Sequence, residues 1–148
     1  MKKFVFILLA ASMYACDDER VTLEGEIEYG TSFGECVGYC VTEAYIQETE
    51  MKVLRKTWNS QNADLSFERT LTPSEWQQLN DGIDVDRFAD LPETIGCPDC
   101  ADGGAEWLEL TVNGERKRVT FEYMTEVEGI NPAIEKLREL VEEAVEDQ

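Results

Sequence analysis

The sequence predicts an α+β domain: an antiparallel β-sheet with a C-terminal amphipathic helix and short helices packed on one face. Three observations carry that reading. Polar and apolar residues alternate through much of the first half. Asn113-Gly114 separates two further alternating runs, and this dipeptide suits the two φ > 0 positions of a type I′ hairpin turn. The chain then closes on apolar residues at helical spacing. Strands, short helices, a hairpin and a long helix, in that order, describe a sheet with helices on one side.

The first strand is expected over Val21 to Tyr29, with Val21, Leu23 and Ile27 on one face and Thr22, Glu24, Glu26 and Glu28 on the other. Gly25 marks an irregularity in it. Gly30 to Gly38 reads as a loop punctuated by glycine. Val41 to Glu48, Met51 to Trp58 and Leu65 to Leu71 read as strands, with Asn59 to Asp64 as a turn. Thr72-Pro73-Ser74-Glu75 then forms a capping box, with Pro at the first helical position. Leu71 and Trp76 stand where a hydrophobic staple would place them, and Gly82 stops the helix. Asp84 caps a second helical turn that brings Phe88 and Leu91 inward before Pro92.

The hairpin is expected to join Ala105–Val112 to Glu115–Tyr123. A two-residue loop sets its register, so Val112 faces Glu115, Leu108 faces Val119 and Glu109 faces Arg118. The apolar pair falls on one face and the ion pair on the other. The last helix takes Asn131 as N-cap and Pro132 as its first residue, with Ile134, Leu137, Val141, Ala144 and Val145 as the buried stripe. No linker or repeat divides the chain, and one domain is expected from Val21 to Gln148.

The chain has 148 residues, 32 acidic against 13 basic side chains, a formal net charge of -19 and no histidine. Forty-three per cent is hydrophobic, enough to pack one domain rather than remain disordered. So negative a chain makes a poor nucleic-acid partner, because phosphate binding rests on Lys and Arg. The missing histidine removes Ser-His-Asp and Cys-His catalysis and every histidine-containing zinc site.

Residues 1–15 read as a lipoprotein signal peptide. Lys2 and Lys3 form its positive start, and Phe4 to Ala11 form an apolar stretch too short to span a bilayer. Ser12-Met13-Tyr14-Ala15-Cys16 resembles a bacterial lipobox, which makes Cys16 the lipidation site. The other reading is a soluble secreted protein cut near Ser12 or Ala15. Residues 16–20 carry the lipidated cysteine and an acidic tether. Asp17-Asp18-Glu19 resembles the tag that sends Bacteroidota-type lipoproteins to the outer face of the outer membrane. In enterobacteria an Asp after the cysteine marks inner-membrane retention instead. Either way the expected place is the cell envelope, with the membrane contacted through the N-terminal lipid.

Gly34-Glu35-Cys36-Val37-Gly38-Tyr39-Cys40, leading directly into a strand, resembles an element of a family of small bacterial lipoprotein domains of unknown function. That element has the form Gly-x-Cys-x-Gly-x-Cys. The resemblance covers most of residues 21–146. Many members carry Pro after the second cysteine, where Val41 stands here, and Cys97 and Cys100 are an addition. It implies this fold and an envelope location, and no activity.

Apart from Cys16 there are four cysteines, which allow three pairings. Local disulfides, Cys36 with Cys40 and Cys97 with Cys100, are favoured because each pair brackets a short flexible segment. The alternative ties the first pair's loop to the second's and closes roughly sixty residues, with a larger effect on the unfolded state. Three functional readings compete; covalent hydrolysis by a free cysteine is set aside, because no histidine is present to act as its base, which leaves two. One is a four-cysteine zinc site, disfavoured by an oxidising envelope. The other is redox chemistry at Cys97-Pro98-Asp99-Cys100. Active pairs of that kind usually open a helix, whereas here a loop follows, and Asp99 and Asp102 would raise the thiol pKa.

Asp81-Gly82-Ile83-Asp84-Val85-Asp86 lacks the ligand pattern of a calcium loop and reads as a helix stop followed by a cap. Trp58, Trp76 and Trp107 read as core or sheet-face residues. Trp107 should point opposite Leu108, onto the face the helices leave open, and is the candidate binding residue. The expected function is a non-enzymatic, lipid-anchored protein-binding or accessory domain, possible inhibition of a hydrolase included, with no catalytic or metal-ligating residue and no cofactor. The alternative is a thiol–disulfide protein using Cys97 and Cys100.

Overall fold

A computed structural model describes residues 25–58, 62–112 and 114–146. The expected signal peptide, Cys16, the expected tether, the first half of the expected first strand and Asn113 lie outside the described residues.

Seven strands form one sheet: β1 (Ile27–Ser32), β2 (Val41–Gln47), β3 (Glu50–Lys56), β4 (Leu65–Thr70), β5 (Thr94–Ile95), β6 (Ala105–Val112) and β7 (Glu115–Glu122). Their spatial order is β4-β3-β2-β1-β6-β7-β5. Every pairing is antiparallel except β5 on β7. Among the described residues three α-helices complete the fold: α1 (Pro73–Asp81), α2 (Val85–Asp90) and α3 (Asn131–Glu146). Among the described residues no helix is long and apolar enough to cross a membrane.

The core lies between one face of the sheet and the helices. Ile27, Tyr29, Ala44, Ile46, Met51, Val53, Leu108, Leu110, Val119 and Phe121 project from alternate sheet positions onto that face. They meet Leu79 of α1, Phe88 of α2 and the inner side of α3. The α+β architecture with helices on one face is therefore the observed one.

The local signals act where the sequence places them. Thr72 Oγ1 accepts the Glu75 N–H, and the Glu75 carboxylate accepts the Thr72 N–H at 2.6 Å, so the capping box is closed in both directions. Leu71 is buried and Trp76 packs against the core. Asp84 caps α2 through the Arg87 N–H at 2.9 Å. The hairpin register is Val112 to Glu115, Leu108 to Val119 and Glu109 to Arg118, as the two-residue loop requires.

Five expectations need correction. The first strand continues through Gly30 to Ser32, because β2 and β6 pair with those residues on both sides, and the loop shrinks accordingly. β3 ends at Lys56, which leaves Trp58 in a loop and 57% exposed rather than in the core or on a sheet face. Asn131 is the first residue of α3, not its cap: the Ile134 N–H bonds to the Ile130 carbonyl, and the Asn131 amide donates to Glu135. The buried stripe of α3 is Ala133, Ile134, Leu137, Leu140 and Ala144, with Val141 and Val145 at its margin. Contact with α1 as well as the sheet turns and widens that stripe. Finally, β5 was not foreseen.

Candidate functional site

The sheet has two ends, and they differ. β1 begins at Ile27 at one end, beside the β6–β7 hairpin; this is the proximal end. At the distal end lie the 33–40 segment, the loop after β3, the segment between β5 and β6, and the chain leaving β7. Both cysteine pairs sit there, each at disulfide distance: Cα atoms are 5.6 Å apart for Cys36 and Cys40, and 5.5 Å apart for Cys97 and Cys100. The local pairs are thus the ones the fold brings together. Among the described residues no group of three or more His, Cys, Asp or Glu side chains is arranged to hold a metal.

The distal loops are stitched to one another. The Phe33 N–H bonds to the Cys40 carbonyl, and the Cys40 N–H bonds to that of Lys56, each at 3.0 Å, which extends the ladder past the strands. The Gly34 N–H donates to Asp99 Oδ1 at 3.1 Å and joins the two cysteine loops. The Phe33 ring lies on Gly104, where a Cβ would come within 2.4 Å of it, and meets Tyr123 edge-on at 4.9 Å. Trp58 donates its indole N–H to the Phe33 carbonyl at 2.7 Å. Asp99, Ala101 and Asp102 all take left-handed backbone angles. Each such residue costs about 1–2 kcal/mol outside glycine, so the neighbouring closures must hold the loop.

These contacts gather apolar surface. The exposed large hydrophobic side chains among the described residues are Val37, Trp58, Leu65, Tyr123 and Met124, and all five belong to the distal end. Sequence reasoning missed this grouping, because apart from the adjacent Tyr123 and Met124 the five come from separate segments of the chain and only strand direction unites them.

Beneath Tyr123 and Met124 lies a buried ion pair. Glu106 is fully buried and accepts from the Tyr29 hydroxyl at 2.6 Å, from Arg138 Nε and Nη2 at 2.9 and 2.6 Å, and from the Met124 N–H at 3.1 Å. Burial, then the neighbouring Glu106 carboxylate, pushes the Tyr29 phenol far above its ordinary value. The Glu106 hydrogen bonds hold Arg138 more firmly protonated. With both oxygens engaged, Glu106 has no free lone pair aimed at a substrate. It ties β1, β6 and α3 to the turn that presents Met124.

Trp107 points opposite Leu108 onto the helix-free face, as alternation requires. Its ring is only 7% exposed. Gly30 opposite it leaves room for the ring, since a Cβ there would come within 2.1 Å of Trp107 Cζ2, and the Arg118 guanidinium stacks over it at 5.2 Å. Glu28 and Glu109 each pair with both Arg116 and Arg118. Glu43 accepts from Lys56 and from the Tyr45 hydroxyl. Burial alone would raise the Glu43 pKa, but those hydrogen bonds and the charges of Lys56 and Arg118 prevail and hold it below its ordinary 4.5. This face is a mesh of satisfied ion pairs around a covered indole.

Cys97 and Cys100 are exposed, while Cys40 is buried. A short 3-10 turn, Cys100–Asp102, follows the second pair in place of a helix. No protein-family model and no curated protein matches the chain.

Proposed function

We propose that this is a non-enzymatic, lipid-anchored cell-envelope domain that binds a protein partner through the distal end of its sheet. The observation that carries the reading is the gathering of Val37, Trp58, Leu65, Tyr123 and Met124 at the end of the sheet that also holds both cysteine pairs, with Val37 between Cys36 and Cys40. Exposed apolar side chains gathered at one end of a fold suit a recognition site, and aromatic residues and Met are enriched in such sites. Acidic side chains rim it, Glu35, Asp64 and Asp102 among them, which suits a partner with basic surroundings. Occupation of a hydrolase's basic cleft is one form such binding takes.

Anchoring rests on the Cys16 motif, and the outer membrane on the acidic run behind it. The first described strand begins at the proximal end, opposite the recognition surface, which suits an anchor on that side and a recognition surface turned from the bilayer. The test is site-specific photocrosslinking in the native cell. A photoreactive residue at position 37 or 58 should give one discrete crosslinked protein, and one at Gln77 on α1 should give none. Equal crosslinking from both places, or none from either, defeats the proposal.

The exposure of Cys97 and Cys100 favours one other reading, thiol–disulfide exchange. Against it stand the absence of a helix N-terminus to stabilise a thiolate and the flanking Asp99 and Asp102. Reduction of insulin by the purified protein above background, lost on replacing Cys97 and Cys100 by Ser, would establish the redox reading in its place.

A further inference from the structure

The two edges of the sheet are finished differently. β7 has its outer edge covered: Thr94 and Ile95 pair with Thr120 and Phe121, and the Thr120 N–H donates to the Glu93 carbonyl. Lys117 reaches across to the carbonyls of Ala89 and Leu91. β4, at the other edge, is paired with β3 over its whole length and with nothing on its outer side among the described residues. It has no proline and no break in register, two of the devices that blunt an edge, although it is only six residues long and its Arg69 turns a charge to the helix side. Its backbone groups are a template for one more strand.

Charge decides what that strand is. A depression of about 430 Å³ runs across the helix-free face from Glu26, just before β1, to β4; Glu50 and Glu68 line its β4 side, where Lys52 stands opposite Glu68. Of its two cations, Arg69 is held by Glu75 and Glu143, which leaves Lys52. A second copy of this chain would bring its own Glu68 and a charge of -19 to the same edge. The acidic run Asp17-Asp18-Glu19 is repelled for the same reason.

We infer that the outer edge of β4 accepts an extended segment of a partner protein as an eighth strand, with Lys or Arg at alternate positions reaching Glu68 and the β4 side of that depression. Main-chain bonds to β4 supply affinity, and the alternate cations supply selectivity. The inference rests on the protein-binding reading above but uses a different surface, so the two can fail separately.

The probe is a blocked peptide, acetyl-Lys-Val-Lys-Val-Lys-Val-Lys-amide, added to the full chain and followed by hydrogen exchange. The expected result is saturable slowing of exchange across residues 65–70, roughly tenfold, with no change in α3. Glu68→Lys, an exposed substitution, should weaken peptide binding at least tenfold at unchanged melting temperature, and Trp58→Ala should leave it unaltered. The Glu-for-Lys counterpart peptide should not bind. Protection on α3 or the hairpin instead of β4, no protection at all, or equal binding by the acidic peptide overturns the inference. Protection of residues 65–70 that depends on protein concentration without peptide would make a second copy the occupant and also overturn it.

Discussion

At the residue scale, Trp107 shows how far alternation reaches and where it stops. Its direction follows from its place beside Leu108, but its burial depends on Gly30 and Arg118, and nothing local announces them. An indole so covered holds the sheet together. Trp107→Ala should therefore cost about 3–5 kcal/mol of stability, read by denaturant unfolding, the range for removing a buried aromatic. Gly30→Ala should destabilise too, because the new Cβ meets a ring that has no room to retreat. Alternation also turns Glu106 to the face of Leu108 and Leu110, a signal the sequence reading passed over, and its partners lie 77 and 32 positions away in the chain. Glu106→Gln leaves Arg138 without its counter-charge and should cost several kcal/mol, toward the roughly 3–5 measured for broken buried pairs. Glu43 gives a pH test. Its folded-state pKa is below 4.5, so its stabilisation is complete above the unfolded-state value and is lost as pH falls through the folded one. The stability advantage of wild type over Glu43→Gln should thus be flat above about pH 5 and shrink on acidification below 4.5. An advantage that grows on acidification would contradict the Lys56 and Tyr45 contacts.

At the element scale, what was legible was what short sequence motifs encode. The capping box, the Asp84 cap and the hairpin register each need only a few consecutive residues, and each is present. Thr72→Ala should cost about 1 kcal/mol by thermal or denaturant unfolding, within the range of roughly 0.5–2 for N-cap removal. What local pattern could not give was pairing imposed from outside. Gly30, Thr31 and Ser32 form a strand because β2 and β6 flank them, and two-residue β5 shows no alternation to detect. Gly82 is the sharpest case. It ends α1 as expected, but with φ −80°, an angle any residue can adopt. Its requirement is space: a Cβ there would lie 2.7 Å from the Ala133 backbone N of α3. Gly82→Ala should accordingly lower the melting temperature, whereas a glycine needed only to stop a helix at that angle would tolerate the change or gain from it.

At the scale of the whole molecule, strand direction gives the domain a polarity. β1 starts at the proximal end with Ile27; β6 runs the opposite way and turns there at Gly114; the cysteine loops, Trp58 and Met124 lie beyond the other end of both strands. Strands of six to eight residues separate the ends by roughly 20–25 Å at about 3.3 Å per residue. Lipid on Cys16 would then keep position 115 nearer the bilayer than position 37. Two measurements check this in sequence. Intact mass of the membrane-extracted chain should show an acylated protein beginning at Cys16, and an unmodified cysteine there would remove the anchor from the account. Given the anchor, a fluorophore coupled to an unnatural amino acid at Glu115 should transfer energy to an acceptor dye in the bilayer more efficiently than one at Val37. The difference should narrow in the protein cut free of its lipid, since its net negative charge gives the body no attraction of its own for an anionic surface. Greater transfer from Val37 would put the apolar end against the membrane, and its exposed tryptophan, tyrosine and methionine would then be a lipid contact in place of a protein-binding surface.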